Sequence, residues 1–481
     1  MQLLTLNFLR AGTPALPVAH TRNTRSTRVP PVTSRFYAVA TLALILTGIA
    51  HGADLRVGVG RAVITPDTQP VWLSGYAART VPSTGMIHHV WAKALALEDS
   101  GGSRAVIITA DVLGLTREIT STVTARLAAK HGLQRRQIFF NSSHTHSSSV
   151  VWPNLSVCGD FTAEKLKHVV EQNRVMTERI IEAADKAVAD LAPAQLSRGR
   201  GKAGFAINRR RREVAPVDHD VPVLRITAPD GTVRAVLFNY ACHCTTLTGG
   251  NLLINGDYAG FAMLELEEAF PESTAFFVQG CAADQNPDPR GTEAHARQYG
   301  KELADAVKAV MAGDMRPVTG PLRAAFTETR LAFQPVPLET FREELVGKDV
   351  FRQRRAKLML EAYNMGNPVT SIPYPVQALS LGQDLAILFL SGEVVVDYAL
   401  RVKREYPDLD LLVAGYCSEV PCYIPSRRVL AEGGYEADDS MIYYGKPGPF
   451  TEAVEETVFG AIREVMEVVR KPWKRKGKHE K

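Results

Sequence analysis

Four short runs of β-branched and aromatic residues each end in a polar, chemistry-bearing residue, and no other feature constrains the fold as much. Residues 137–141 (Gln-Ile-Phe-Phe-Asn) lead into Asn141-Ser-Ser-His144-Thr-His146. Residues 234–241 end at Cys242-His243, and residues 274–279 lead into Gly280-Cys-Ala-Ala-Asp284-Gln-Asn286-Pro. Residues 385–390 lead into Ser391-Gly-Glu393, where Glu393 is expected to open a helix. In open α/β sheets the ligand crevice lies beyond the carboxyl ends of the strands. If the four strands are parallel neighbours, their terminal side chains converge on one crevice.

The rest of the chain fits that scheme. Residues 104–110 read as a buried strand, 117–131 carry apolar positions at helical spacing up to Gly132, and 137–141 return as a strand. This is a βαβ unit. Another strand fits 411–416, and helical patterns fit 162–191, 258–269, 292–312 and 394–405. Residues 315–380 are less regular and are read as an antiparallel excursion or a cap. Hydrophobic residues make up 45% of the 481, enough for a sizeable core. The expected fold is α/β, with a mixed sheet core, flanking helices and a metal site at the C-terminal ends of strands.

Residues 1–53 read as a basic leader plus secretory signal. The apolar run 36–50 follows Arg35, precedes small residues at Ala50, Gly52 and Ala53, and is short for a membrane span. The expected location is therefore periplasmic or secreted, with a retained N-terminal anchor as the alternative. A catalytic domain is expected over 54–465 and a basic tail over 466–481. The net charge is only +5, and no aromatic-interleaved basic pattern points to nucleic acid. The tail is read as solvated, with peripheral membrane contact as its functional alternative.

Six cysteines in a chain this long make no disulfide scaffold. Cys242 and Cys244 flank His243 and, by strand alternation, face away from it as small buried apolar residues. Cys417 and Cys422 are close enough for a local bridge in an oxidising compartment.

Each candidate site residue also has a plain structural reading. His144-Thr-His146 places two imidazoles on one side of an extended segment, which suits zinc but equally a hydrogen-bonded loop. His243 could be a satisfied core histidine, Glu393 a helix N-terminal carboxylate, and Asp284-Gln-Asn-Pro a turn. Their shared position at strand ends favours a site. Asp111 and Asp257 fall near it and are read as orienting partners for ligating histidines.

From these residues outward the sequence resembles the neutral, non-lysosomal ceramidase family in its N-terminal catalytic domain, over roughly 54–465. The resemblance runs through Val57-Gly-Val-Gly-Arg-Ala-Val-Ile-Thr-Pro66, Leu73-Ser-Gly-Tyr-Ala-Ala-Arg79, Ala92-Lys-Ala-Leu-Ala-Leu-Glu-Asp99, Ala110-Asp111 and the His144-Thr-His146 segment. It implies a zinc amidase acting on N-acyl bonds, with one Zn2+ per chain held by His144, His243, Glu393 and Tyr423. The family's Asn-Arg motif matches Asn208-Arg209, and its second tyrosine matches Tyr435. Asn286 stands where the family has a serine, and the family's further sandwich-type C-terminal domain is not reached. Both departures move the expected substrate away from ceramide itself.

The expected chemistry is hydrolysis of a small-molecule or lipid-like N-acyl amide by a metal-activated water. His146 is assigned as base or orienting donor, Arg209 and Tyr435 as oxyanion donors, and Asp284 and Asn286 as residues lining the site. The competing readings are a binuclear ester or phosphoester hydrolase recruiting Asp111, Asp257 and Asp284, and a non-catalytic exported binding protein on the same scaffold.

Overall fold

The computed structural model describes residues 55–210 and 214–471. The expected leader, its signal segment and the tail from 472 onward lie outside the described residues.

One large mixed sheet forms the core. Its strands run in the order Thr274–Gln279, Val233–Tyr240, Asp220–Thr227, Ala192–Lys202, Leu55–Val63, Trp91–Asp99, Arg104–Ala110. It continues through Ile138–Ser142, Asp410–Cys417, Leu385–Ser391, Ser371–Leu381 and Leu322–Ala332. The predicted βαβ unit is present: Arg104–Ala110 and Ile138–Ser142 pair in parallel, joined through the helix Arg117–His131. Thr116 caps that helix by accepting from Ile119 N, and Gly132 closes it in the left-handed region.

The sheet curls back on itself. Gly280, just past its first strand, bridges to Ala414 in a strand far along the row. Asn141 Nδ2 donates to Gln279 O at 3.2 Å, and Gln279 N donates to Asn141 Oδ1 at 2.8 Å. Inside the curl, one cluster gathers Leu95, Ile107, Phe139, Leu237, Phe276, Phe389 and Leu412. Phe139 and Phe389 meet there with ring centroids 4.6 Å apart. Each such buried side chain contributes about 1.5–3 kcal/mol of hydrophobic stabilisation. Helices cover the outer faces: Ala163–Ala189 lies over one end, Asp257–Ala269 and Glu293–Ala312 over another, and Val396–Glu405 with Val454–Arg470 over the third.

The four chemistry-bearing strands are therefore not four parallel neighbours. Only Val233–Tyr240 and Thr274–Gln279 stand side by side in parallel. Ile138–Ser142 and Leu385–Ser391 are separated by Asp410–Cys417, and Ile138–Ser142 meets that strand at a single antiparallel pair, Asn141 with Cys417. Their ends converge because the curl brings the two halves of the sheet together.

The irregular stretch resolves into the antiparallel pair Leu322–Ala332 and Ser371–Leu381, with helices Leu338–Val346 and Val350–Asn364 between them. All six cysteines are free, so no Cys417–Cys422 bridge forms, while Cys242 and Cys244 are buried. Among the described residues, no helix is long and apolar enough to cross a membrane.

Candidate metal centre

Three imidazoles meet at the closure, each held from behind by a main-chain carbonyl. His144 Nδ1 faces Leu113 O at 2.5 Å, His243 Nδ1 faces Ala282 O at 2.7 Å, and His146 Nδ1 faces Gly75 O at 3.1 Å. A carbonyl only accepts, so each Nδ1 carries the proton and each Nε2 presents a lone pair. Burial pushes the His243 imidazole down to about 4 and His146 well below its usual range, which keeps both neutral. The backbone reinforces the placement: His144 sits at φ 60, a left-handed conformation costing on the order of 1–3 kcal/mol and typical of functional sites.

The lone pairs face one another and a carboxylate. His144 Nε2 lies 3.2 Å from His146 Nε2 and 3.1 Å from Glu393 Oε2. His243 Nε2 lies 3.2 Å from the same oxygen and 3.4 Å from the Tyr423 hydroxyl. Burial works against charge on Glu393, and only positive charge held at His144 and His243 brings its carboxyl well below the ordinary range. Among the described residues, no hydrogen-bond donor reaches the buried Glu393 Oε2. Neutral nitrogens crowding an ionised oxygen repel unless a cation lies among them, and donors bound at about 2.0–2.1 Å in a tetrahedron stand roughly 3.3 Å apart. The residues present therefore fit a metal ion.

Glu393 does not open the helix. It pairs in parallel with Tyr423 as Val394 does with Ile424, and the helix starts at Val396. Gly392, at φ 80, makes the turn into this pair; a Cβ there would lie 2.9 Å from Cys422 O. Glu393 N donates to that same carbonyl at 2.9 Å, fixing Glu393 against Tyr423.

Arg209 borders the centre. Its Nε donates to Glu436 at 2.7 Å and one Nη to the Tyr423 hydroxyl at 3.1 Å, while the other reaches Asn286 Oδ1 at 3.5 Å. Burial opposes its charge, but Tyr423 and Glu436 raise its pKa and keep it ionised. Tyr435 crosses Tyr423 edge-on at 5.4 Å and is 42% exposed, so it stands at the mouth. Arg209, Asn286, Tyr435, Glu436 and Arg290 wall a cavity of about 550 Å³ there.

The aspartates are committed elsewhere. Asp284 accepts from Asn208 Nδ2 at 2.8 Å and from Val396 N at 2.9 Å, and burial raises its carboxyl to about 6. It joins the Asn208 strand to the helix after Glu393; its side chain does not line the mouth cavity. Asp111 accepts from Trp91 N, and Asp257 from Thr246, Leu247 and Tyr258 N. The orienting partners of the histidines are carbonyls rather than these carboxylates.

The sequence profile described as neutral/alkaline non-lysosomal ceramidase, N-terminal, matches residues 55–331, more than half of the chain. The chain belongs to that family. Within it, the neutral ceramidase of Pseudomonas aeruginosa is 24% identical over 87% of this chain and 73% of its own length. Neutral ceramidase of Mycobacterium tuberculosis is 27% identical over 49% of this chain, and neutral ceramidase B of Dictyostelium discoideum 26% over 50%. Those two alignments span 41% and 36% of the relatives' own lengths. Among solved structures, a ceramidase complexed with C2 superposes with a TM-score of 0.68 at 19% identity, covering 87% of this chain and 75% of that one. Neutral ceramidase from Pseudomonas aeruginosa superposes with 0.67 at 20% identity, covering 87% and 74%. The mixed α/β fold is thus the ceramidase fold.

Two residues that touch the centre escaped sequence reasoning. Tyr444 donates its hydroxyl to Glu393 Oε1. Tyr416 lays its ring on His144 with centroids 4.3 Å apart, and its buried hydroxyl has no partner among the described residues. Neither lies at a telling distance in sequence from the residue it touches. Tyr444→Phe removes only the donor to Glu393 and should weaken metal affinity by about 10–100-fold with the fold intact. Competition with a metallochromic chelator measures it. Gly75→Ala should be more damaging to His146, because at φ 94 a Cβ would fall 2.2 Å from its Nδ1. Turnover should drop while far-UV circular dichroism stays unchanged.

Proposed function

We propose that this chain is an exported, zinc-dependent amidase that hydrolyses N-acyl bonds of lipid-like substrates. The observation that carries the reading is the ring of Nε2 lone pairs closed on Glu393 Oε2, with every Nδ1 proton already committed to a carbonyl. His144, His243, Glu393 and Tyr423 would hold the ion, and His146 Nε2 stands within the same circle of donors. A divalent ion bound there supplies Lewis-acid polarisation of the acyl carbonyl and lowers the pKa of water. Mixed nitrogen and oxygen donors suit zinc, and membership of the ceramidase family supports both the metal and the amide bond.

The protein groups divide the remaining work. His146 Nε2, steadied through Gly75 O, takes the proton lost by the attacking water and returns it to the departing nitrogen. Arg209, kept charged by Glu436, and Tyr435 at the mouth donate to the oxygen on which negative charge develops. The products are a carboxylic acid and an amine. Asn286 cannot act as an alkoxide; it shapes the cavity wall beside Arg209. Export rests on the apolar run 36–50 behind its basic leader.

A binuclear centre gains no support, because the carboxylates it would recruit are bonded to the backbone and to Asn208. The purified chain should release fatty acid from an N-acyl sphingosine or N-acylethanolamine, lose that activity to a strong chelator and recover it with zinc. Activity indifferent to chelation would sink the metal mechanism. A metal-loaded chain that cleaves no acyl amide would leave a binding protein on an amidase scaffold.

A further inference from the structure

Beside His146 lies a guanidinium that has no part in the chemistry above. Arg79 is half-buried, yet among the described residues no carboxylate pairs with it. Its N–H groups go instead to four main-chain carbonyls. One Nη donates to Ser74 O at 2.8 Å and to His146 O. The other donates to Thr248 O at 3.4 Å, and Nε donates to Gly249 O at 3.3 Å. The guanidinium lies 4.8 Å from the Tyr76 ring centre, and that ring stands 4.9 Å from the His146 imidazole. Burial lowers the Arg79 pKa to about 10, so it stays charged at neutral pH.

A half-buried charge without a counter-ion is costly, and the segments this one ties together show what it maintains. Leu73 bridges to Ser149, and Ser74 N donates to Ser148 O at 3.0 Å. Beyond that pairing the chain turns at Gly75, φ 94, whose carbonyl takes the His146 Nδ1 proton at 3.1 Å. From Gly75 to Pro82 the loop makes one backbone–backbone hydrogen bond among the described residues, from Arg79 N to Tyr76 O. Side chains therefore hold it over His146: the Tyr76 hydroxyl donates to Leu247 O at 3.2 Å, and the Arg79 fork does the rest. Arg79 grips His146 O and also Ser74 O, one residue before the carbonyl on Nδ1. Neither oxygen has another donor among the described residues. A planar fork of five donors can span four carbonyls from three segments, whereas a lysine ammonium cannot.

We propose that Arg79 is the positioning residue of His146. It acts through the histidine: its fork sets the main chain that carries the imidazole and the loop whose carbonyl fixes the Nδ1 proton. His144 and His243 do not depend on it, because their protons go to Leu113 O and Ala282 O, which Arg79 does not reach. Loss of Arg79 therefore frees one imidazole of the three. The catalytic consequence rests on the amidase reading, in which His146 Nε2 moves the proton; the placement of the ring does not.

Imidazole N–H resonances of the zinc-loaded chain, carrying isotope-labelled histidine, read the placement, and turnover of an N-acylethanolamine reads the consequence. The His146 Nδ1 proton, assigned by its absence from His146→Gln, is expected to resist exchange with water in the wild type. In Arg79→Ala it should exchange on the order of tenfold faster, while the His144 and His243 protons keep their protection. At unchanged zinc content and little change in KM, kcat should fall by about 10²-fold. Added ethylguanidinium, but not ethylammonium, should restore part of both losses. Arg79→Lys keeps the charge without the fork and should show the same selective exchange, which covers an alanine variant that fails to fold. His146 protection that survives in both variants overturns the proposal. So does parallel loss at all three histidines, which would make Arg79 a support of the fold alone. Selective loss at His146 in a chain whose wild type cleaves no acyl amide would instead sink the amidase reading and leave the positioning role standing.

Discussion

Replacing His243 by alanine is expected to empty the metal centre and abolish turnover together. His243 supplies one of the Nε2 lone pairs around Glu393 Oε2, and its Nδ1 proton is spent on Ala282 O at 2.7 Å. Loss of a mere supporting hydrogen bond costs metal sites about 10–100-fold in affinity, so loss of a ligand should exceed roughly 100-fold. Elemental mass spectrometry of the purified chain checks this: near-stoichiometric zinc in the wild type and almost none in His243→Ala. The side chain is buried, so the variant also leaves a small void and some loss of stability. Thermal unfolding of both chains after chelation separates that loss from the loss of metal. A variant that keeps its zinc would overturn the ligand assignment.

The second large effect is expected at Arg209. Its fork joins Glu436, the Tyr423 hydroxyl and Asn286, three partners that a lysine ammonium cannot engage in one plane. Arg209→Lys should keep the metal, because no imidazole depends on Arg209 for its orientation. It should lower kcat by about 10²–10³, the usual consequence of losing one oxyanion donor. Zinc content measured alongside kcat decides the matter. Unchanged metal with a depressed kcat supports a role at the developing charge, whereas loss of both would make Arg209 a support for Tyr423. Glu436 should remain paired through Arg210, so the variant is expected to fold.

The contact of Arg209 with Asn286 bears on specificity. Asn286 places an amide oxygen that accepts weakly from Arg209 at 3.5 Å on the cavity wall. That amide makes the cavity wall beside the proposed metal centre more polar than a hydrocarbon substrate requires.

The sequence by itself determined the pieces. Strand-forming runs and helical spacing placed the main elements within a few residues, because burial periodicity is a local property. His144-Thr-His146, His243 and Glu393 were legible because each follows an apolar run whose end is where a sheet presents chemistry. Tyr423, Arg209 and Tyr435 were legible only through family motifs. The tertiary structure decided how the pieces meet. Closure of the sheet through Asn141, Gln279 and the Gly280–Ala414 bridge joins strands that are not neighbours, and pairing across such sequence distances leaves no periodic signal. It also decided which polar residues serve the site. Asp284 and Asp257 are drawn to backbone N–H groups that need acceptors, whereas Leu113, Ala282 and Gly75 offer carbonyls whose position no side-chain sequence encodes. Those carbonyls set the tautomers, and the tautomers turn three histidines into a site for a cation.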